Sequence, residues 1–132
     1  MPASWWPREM PMADRKHEAE RRGRLAEMAA LWSLRLKGYR LLAQRYRSPV
    51  GEIDLIMRRG DVTAFIEVKQ RATTEASLNS VTPNQARRIS AAARSWMGRD
   101  QRAARQFCRF DIVAVSPYHW PQHIENAFYG DD

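Results

Sequence analysis

The sequence predicts an α/β domain of order αβββαβ, in which helices cover a mixed central sheet. Three observations predict it. Apolar residues recur at helical spacing in two stretches, three strand-like segments lie between those stretches, and one more apolar strand follows the second. At 132 residues, 44% of them apolar, the chain suits one domain with its own core.

Residues 1–13 hold three prolines, Trp5 and Trp6, and no hydrophobic period, so they read as a flexible extension to a single domain over residues 14–132. No function is assigned to the two tryptophans. Residues 14–37 are helical in pattern, with Leu25, Ala29, Trp32 and Leu36 forming the expected buried stripe and Gly38 ending the helix. Strands are expected over 39–47, 52–58 and 62–71, with Ser48-Pro49 between the first two. Residues 72–83 are polar and read as a mobile loop that closes at a helix start near Thr82 or Pro83. Ile89, Ala92, Ala93, Trp96 and Met97 mark the apolar face of a helix reaching about residue 105. A last strand covers 109–115, and Pro117 and Pro121 break the chain beyond it.

Composition narrows the function classes. The formal net charge is +7, carried mostly by arginine, whose planar guanidinium suits phosphate oxygens. A polyanion such as nucleic acid is the expected partner; a merely solubilising surface, or one that sits on anionic lipid, is the alternative. The first ten residues lack a signal-like apolar region, and charges interrupt every candidate for a membrane span. The single Cys108 has no internal disulfide partner, so the expected compartment is the cytoplasm, with no membrane association. His17, His119 and His123 show no zinc-ligand spacing with Cys108, and no transition metal is expected.

The chemistry concentrates in two adjacent strands. In residues 51–56, alternation puts Glu52 and Asp54 on one face and Ile53 and Leu55 on the other; in residues 65–69 it puts Glu67 and Lys69 on a common face. A two-residue hairpin loop at Gly60-Asp61 sets Asp54 opposite Glu67. A loop at Arg59-Gly60 leaves them diagonal on the same face, whereas a three-residue loop separates them. Two carboxylates about 5 Å apart repel unless a cation lies between them. A hard divalent ion such as Mg²⁺ or Mn²⁺ answers that need, keeps several waters and accepts phosphate as a further ligand. Lys69 reaches the same space, where an ammonium can stabilise charge developing on phosphorus. An ordinary surface salt bridge, contributing about 0 to 1 kcal/mol, is the bland reading of the same triplet. The apolar neighbours argue for central strands instead, where carboxylates are costly unless paired or ligated. Glu27 lies on a second apolar line of the first helix with Ala30 and Leu34, where it either completes a metal site or pairs with an arginine.

The order Glu27, Asp54, Glu67-Val68-Lys69 resembles the metal-binding pattern of the PD-(D/E)XK nuclease superfamily, which includes Holliday-junction resolvases. The strings GYRLLAQRYRSPVGEIDLI, FIEVKQR, VTPNQARRI, RFDIVAV and HIENAF are together similar to the YraN-like family of small bacterial proteins, over residues 20–128. The resemblance implies a restriction-endonuclease-like αβββαβ core. It further implies that Asp54, Glu67 and the Val68 carbonyl ligate the metal, that Lys69 is the catalytic lysine and that Glu27 is a supporting acid. Gln85 stands where the family often has lysine; it is either part of the catalytic set or a surface residue near a helix start. Arg71, Arg87 and Arg88 flank the centre in sequence and are the candidate phosphate contacts, with solvated arginines the default alternative. Asp111 either supports the site from behind or holds a structural hydrogen-bond network.

The expected function is metal-dependent hydrolysis of phosphodiester bonds in DNA, more than RNA, at branched or single-stranded sites; self-association as a homodimer is left open. A non-catalytic nucleic-acid-binding module and a protein adaptor that meets an acidic partner are the competing readings.

Overall fold

The computed structural model describes residues 11–100 and 107–128. Trp5 and Trp6 lie outside the described residues. The order is α1 (Met12–Leu36), β1 (Arg40–Ser48), β2 (Gly51–Arg59), β3 (Val62–Gln70), α2 (Thr74–Asn79), α3 (Pro83–Met97), β4 (Phe107–Val115) and β5 (Gln122–Ile124). This is the predicted succession with two additions. The first is α2, inside the segment read as a polar loop, where the Thr73 hydroxyl caps a short helix by accepting from the Ala76 N–H. The second is β5, three residues long and flanked by a proline that masked it. Residues 12 and 13, read as part of the extension, already belong to α1, and α3 stops at Met97 with Gly98 as its cap, short of the expected residue 105.

The five strands form one mixed sheet in the order β1-β2-β3-β4-β5, with β3 and β4 parallel and the other neighbours antiparallel. A parallel pair needs a long crossover, which α2 and α3 supply. α1 covers one face, packing Ala26, Ala30, Leu31 and Leu34 on Leu55, Met57, Ala64, Ile66 and Val113. α3 covers the other with Ile89, Ala92, Ala93 and Trp96 against Ile53, Ile56 and Phe65. Leu55, Ile56, Phe65 and Ile66 are fully enclosed, each contributing about 1.5 to 3 kcal/mol of burial. No helix among the described residues is long and apolar enough to cross a membrane.

The stripe that α1 buries differs from the predicted one. Leu25, Trp32 and Leu36 are exposed, and the sheet takes the line through Ala26, Glu27, Ala30 and Leu34. Both lines are apolar at helical spacing, so periodicity alone could not choose between them. Gly38 ends the helix as expected, with a φ of 93°.

Candidate active site

The β2–β3 hairpin turns through Gly60 and Asp61, with Arg59 paired to Val62 and Gly60 at a φ of 61°. The ladder runs to Leu55 opposite Ile66 and stops, with Asp54 and Glu67 the next residues in line on the two strands. There the strands exchange their backbone pairing for a side-chain bond: the Val68 N–H donates to Asp54 Oδ2 at 2.8 Å. The same point is irregular on the other side of β2. Arg45 and Asp54 lie between the pairs Gln44–Leu55 and Tyr46–Ile53, and Arg45 has a φ of 52°, in the left-handed region. Simple alternation therefore fails here. Ile53 packs with the α3 cluster and Leu55 with the α1 cluster, although the alternating pattern placed them on one face. Asp54 sits at that crossover and borders two cavities, one of about 460 Å³ beside α3 and one of about 470 Å³ beside α1.

On the α3 side, Lys69 Nζ lies 3.5 Å from Glu67 Oε1 and donates to Gln85 Oε1 at 3.2 Å, while Gln85 Nε2 donates to Glu67 Oε1 at 3.1 Å. Lys69 is itself buried. Gln85 is held from behind, because its N–H donates to the Thr82 hydroxyl that caps α3. Thr82-x-x-Gln85 is a capping-box spacing, yet the glutamine side chain points away from the cap and bridges the acid and the lysine. The cavity around this cluster is lined by Glu52, Asp54, Glu67, Asn84, Gln85 and Arg88, among others.

Burial dominates the electrostatics. It is the largest influence pushing Asp54 up to about 6, despite the Val68 N–H bond that opposes it. Burial, then the charge of Asp54, pushes Glu67 up to about 8 against the pull of Lys69. Two neighbouring acids whose ionisation burial opposes form a site that favours any cation able to stabilise their charge. Among the described residues no group of three or more His, Cys, Asp or Glu side chains is placed to hold a metal ion by itself.

On the α1 side, Glu27 is paired with Arg45, whose Nε and Nη2 reach Glu27 Oε2 at 2.9 and 2.6 Å. Of the two roles open to Glu27 from sequence, the arginine pairing is the one displayed, and the residue still lines the cavity that it shares with Asp54, Arg24 and Arg47.

Residues 26–115 match the Uncharacterised protein family UPF0102. The chain belongs to that family. A UPF0102 protein of Mesorhizobium japonicum is 49% identical over 122 residues, covering 92% of this chain and 97% of its own. One of Chelativorans sp. is 48% identical over 113 residues, covering 86% and 91% respectively. One of Brucella canis is 49% identical over 117 residues, covering 89% and 93%. The matched span of the UPF0102 family holds Glu27, Asp54, Glu67, Lys69 and Gln85.

Within this UPF0102 chain the predicted arginines part company. Arg88 lines the α3-side cavity, whereas Arg71 and Arg87 are not among the residues that border it. Asp111 belongs elsewhere. Its Oδ1 accepts from Arg109 Nε and the Asn126 N–H at 2.8 and 2.9 Å, and its Oδ2 accepts from Arg109 Nη2 at 2.8 Å and lies 2.8 Å from His123 Nε2. Burial alone would raise its pKa, but these partners hold it below the ordinary carboxylate value. This network ties β5 and the following turn to β4, the structural role that the sequence left open. Sequence reasoning missed Arg45, whose left-handed φ leaves no mark in the residue type. It also missed Gly51, where a Cβ would come within 2.4 Å of the Arg88 carbonyl oxygen. A glycine closing a strand connection was the available signal for such a close approach.

Proposed function

We propose that this chain is a Mg²⁺- or Mn²⁺-dependent nuclease of the PD-(D/E)XK type that hydrolyses phosphodiester bonds in DNA. One observation carries the reading: a half-buried Asp54–Glu67 acid pair, with the buried Lys69 ammonium beside it, opens into a polar cavity edged by Arg88. Asp54, Glu67 and the Val68 carbonyl would hold the ion, which when bound supplies a Lewis acid and a water of lowered pKa. Lys69 faces the space where negative charge develops on phosphorus, and Gln85 fixes its direction by accepting from it. Glu27, held by Arg45, adds negative charge behind Asp54. Arg88 contributes phosphate affinity, with Arg71 and Arg87 extending the basic surface away from the cavity.

The test is Mg²⁺- or Mn²⁺-dependent cleavage of linear, flapped, branched and single-stranded DNA, with RNA counterparts. Lys69→Ala should bind as wild type does and cleave far more slowly, because its charge matters where the transition state differs from the bound substrate. A wild type that binds these substrates and cleaves none with either ion would make the chain a nucleic-acid-binding module of the same fold.

A further inference from the structure

Two of the exposed large side chains are aromatic and stand two positions apart in one loop: Tyr118 is 93% exposed and Trp120 64% exposed. They occupy the β4–β5 connection, bracketed by Pro117 and Pro121. Tyr118 has a φ of 63°, a conformation that bulky side chains avoid. Its ring lies in water, so packing within the chain does not offset that strain, and strained residues of this kind concentrate at binding sites.

The connection starts beside the acid–lysine centre. It leaves β4 at Val115, the parallel partner of Gln70, which directly follows Lys69. Neighbouring strands are about 5 Å apart, so β3 and β4 deliver the centre and this loop to the same end of the sheet. Two cavities on the α1 side lie between Asp54 and the loop and share a lining residue. Gln70 and Asp54 line the α1-side cavity together with Arg24 and Arg47. Ala26 lines both that cavity and an adjoining groove of about 260 Å³, walled by Leu25, Val115 and Pro117 at the root of the loop.

We infer that Tyr118 and Trp120, with the Leu25–Val115–Pro117 groove at their base, stack the unpaired nucleobases of a strand whose phosphate lies at the acid–lysine centre. The inference rests on the nuclease reading for the position of that phosphate. It deepens that reading by selecting single-stranded or flapped DNA, whose bases are free to leave the helix, over intact duplex. Aromatic faces accept any base, so the selectivity is for unpaired structure and not for sequence. The chain's net charge of +7 favours a polyanion here over an apolar peptide.

The experiment measures binding of the full chain to a short oligothymidylate and to the same backbone without bases, in Ca²⁺ to suppress cleavage. Tyr118→Ala and Trp120→Ala should each weaken oligothymidylate binding by about 5- to 150-fold, the range expected for one lost stack. Both should leave the abasic strand and the salt dependence unchanged, and Trp120→Phe should restore most of the affinity. Thermal melting of each variant confirms folding. Unchanged affinity for oligothymidylate, or equal loss on the abasic strand, overturns the stacking site while leaving the nuclease reading intact. Loss of self-association in Trp120→Ala without loss of strand binding assigns the loop to a contact between two copies and also overturns it. A wild type that binds the strand through these rings but cleaves nothing in Mg²⁺ or Mn²⁺ supports stacking and removes the nuclease reading.

Discussion

Raising the pH should destabilise the metal-free protein, and a divalent ion should restore it. Burial holds Asp54 up to about 6 and Glu67 up to about 8, against ordinary values of 3.8 and 4.5. The folded chain therefore keeps protons that the unfolded chain has already lost. Stability from these groups is fully present below the unfolded values and falls as pH rises through the folded ones, between about pH 4 and pH 8. Each tenfold difference in proton affinity between the folded and unfolded chains is worth about 1.4 kcal/mol. Taken one group at a time, that is about 3 kcal/mol for Asp54 and about 5 kcal/mol for Glu67, so either alone lowers Tm by roughly 10 °C or more in a domain of this size. Asp111 works in the opposite direction: its lowered pKa gives stability present above its ordinary value and lost only as pH falls below it, outside this window. The assay is urea or thermal unfolding followed by circular dichroism from about pH 5 to about pH 8.5, with and without Mg²⁺. An ion at a hundred times its Kd should add back about 2.7 kcal/mol at the alkaline end and less at the acid end, where protons compete. Glu67→Gln removes the larger titration and should flatten the profile. Stability that is constant or rises across the range, or an unchanged slope in Glu67→Gln, would refute the upward shift of the acid pair.

Other perturbations read other parts of the structure. Gly51→Ala places a Cβ 2.4 Å from the Arg88 carbonyl oxygen, so denaturant titration should show a loss of about 1 to 3 kcal/mol as α3 is pushed from β2. Asp111→Asn turns an amide donor towards Arg109 or His123 and should cost about 3 kcal/mol, with hydrogen exchange rising in residues 122–126 and DNA binding unchanged. Arg88→Ala should flatten the slope of log affinity against log salt by roughly 0.7 to 0.9, the signature of one lost phosphate contact; Arg71→Ala or Arg87→Ala should do so less if the cavity marks the strand's path.

The parts legible in sequence were those set by pattern. Of the three hairpin loops the sequence allowed, the one through Gly60-Asp61 is adopted, which leaves Asp54 and Glu67 next in line beyond the ladder; the apolar face of α3 followed from Ile89, Ala92, Ala93 and Trp96. The parts that could not be read were set by three-dimensional choice. α1 carries two apolar lines, and only the sheet's preference for the one through Ala26 and Ala30 leaves Trp32 in water. Gln85 fits a capping box by spacing, and only the position of Lys69 and Glu67 diverts its side chain. Arg71, Arg87 and Arg88 are alike in sequence, and the turn of α3 brings one of them to the cavity.

The failure of simple alternation in β2 and the location of the candidate site have a common cause. A regular strand would show its carboxylates to one face only, and Asp54 would have met either α1 or α3. Instead Arg45 takes a left-handed φ opposite it, the β2–β3 ladder stops at Leu55 and Ile66, and Asp54 takes the Val68 N–H in place of a backbone carbonyl. That single irregularity gives Asp54 access to both cavities and ties it to the strand that carries Glu67 and Lys69. Bulges and ladder breaks recur beside active sites because they re-aim one side chain without disturbing the sheet around it. Arg45→Gly tests this directly. Glycine accepts the φ of 52° and should keep the irregularity while losing the Glu27 pair, whereas Arg45→Val strains the same φ and should drive β1 towards regular pairing. If hydrogen exchange at Val68 is unchanged in Arg45→Gly but rises in Arg45→Val, the irregular backbone positions Asp54; equal exchange in both would assign that role to the Glu27–Arg45 ion pair or to neither.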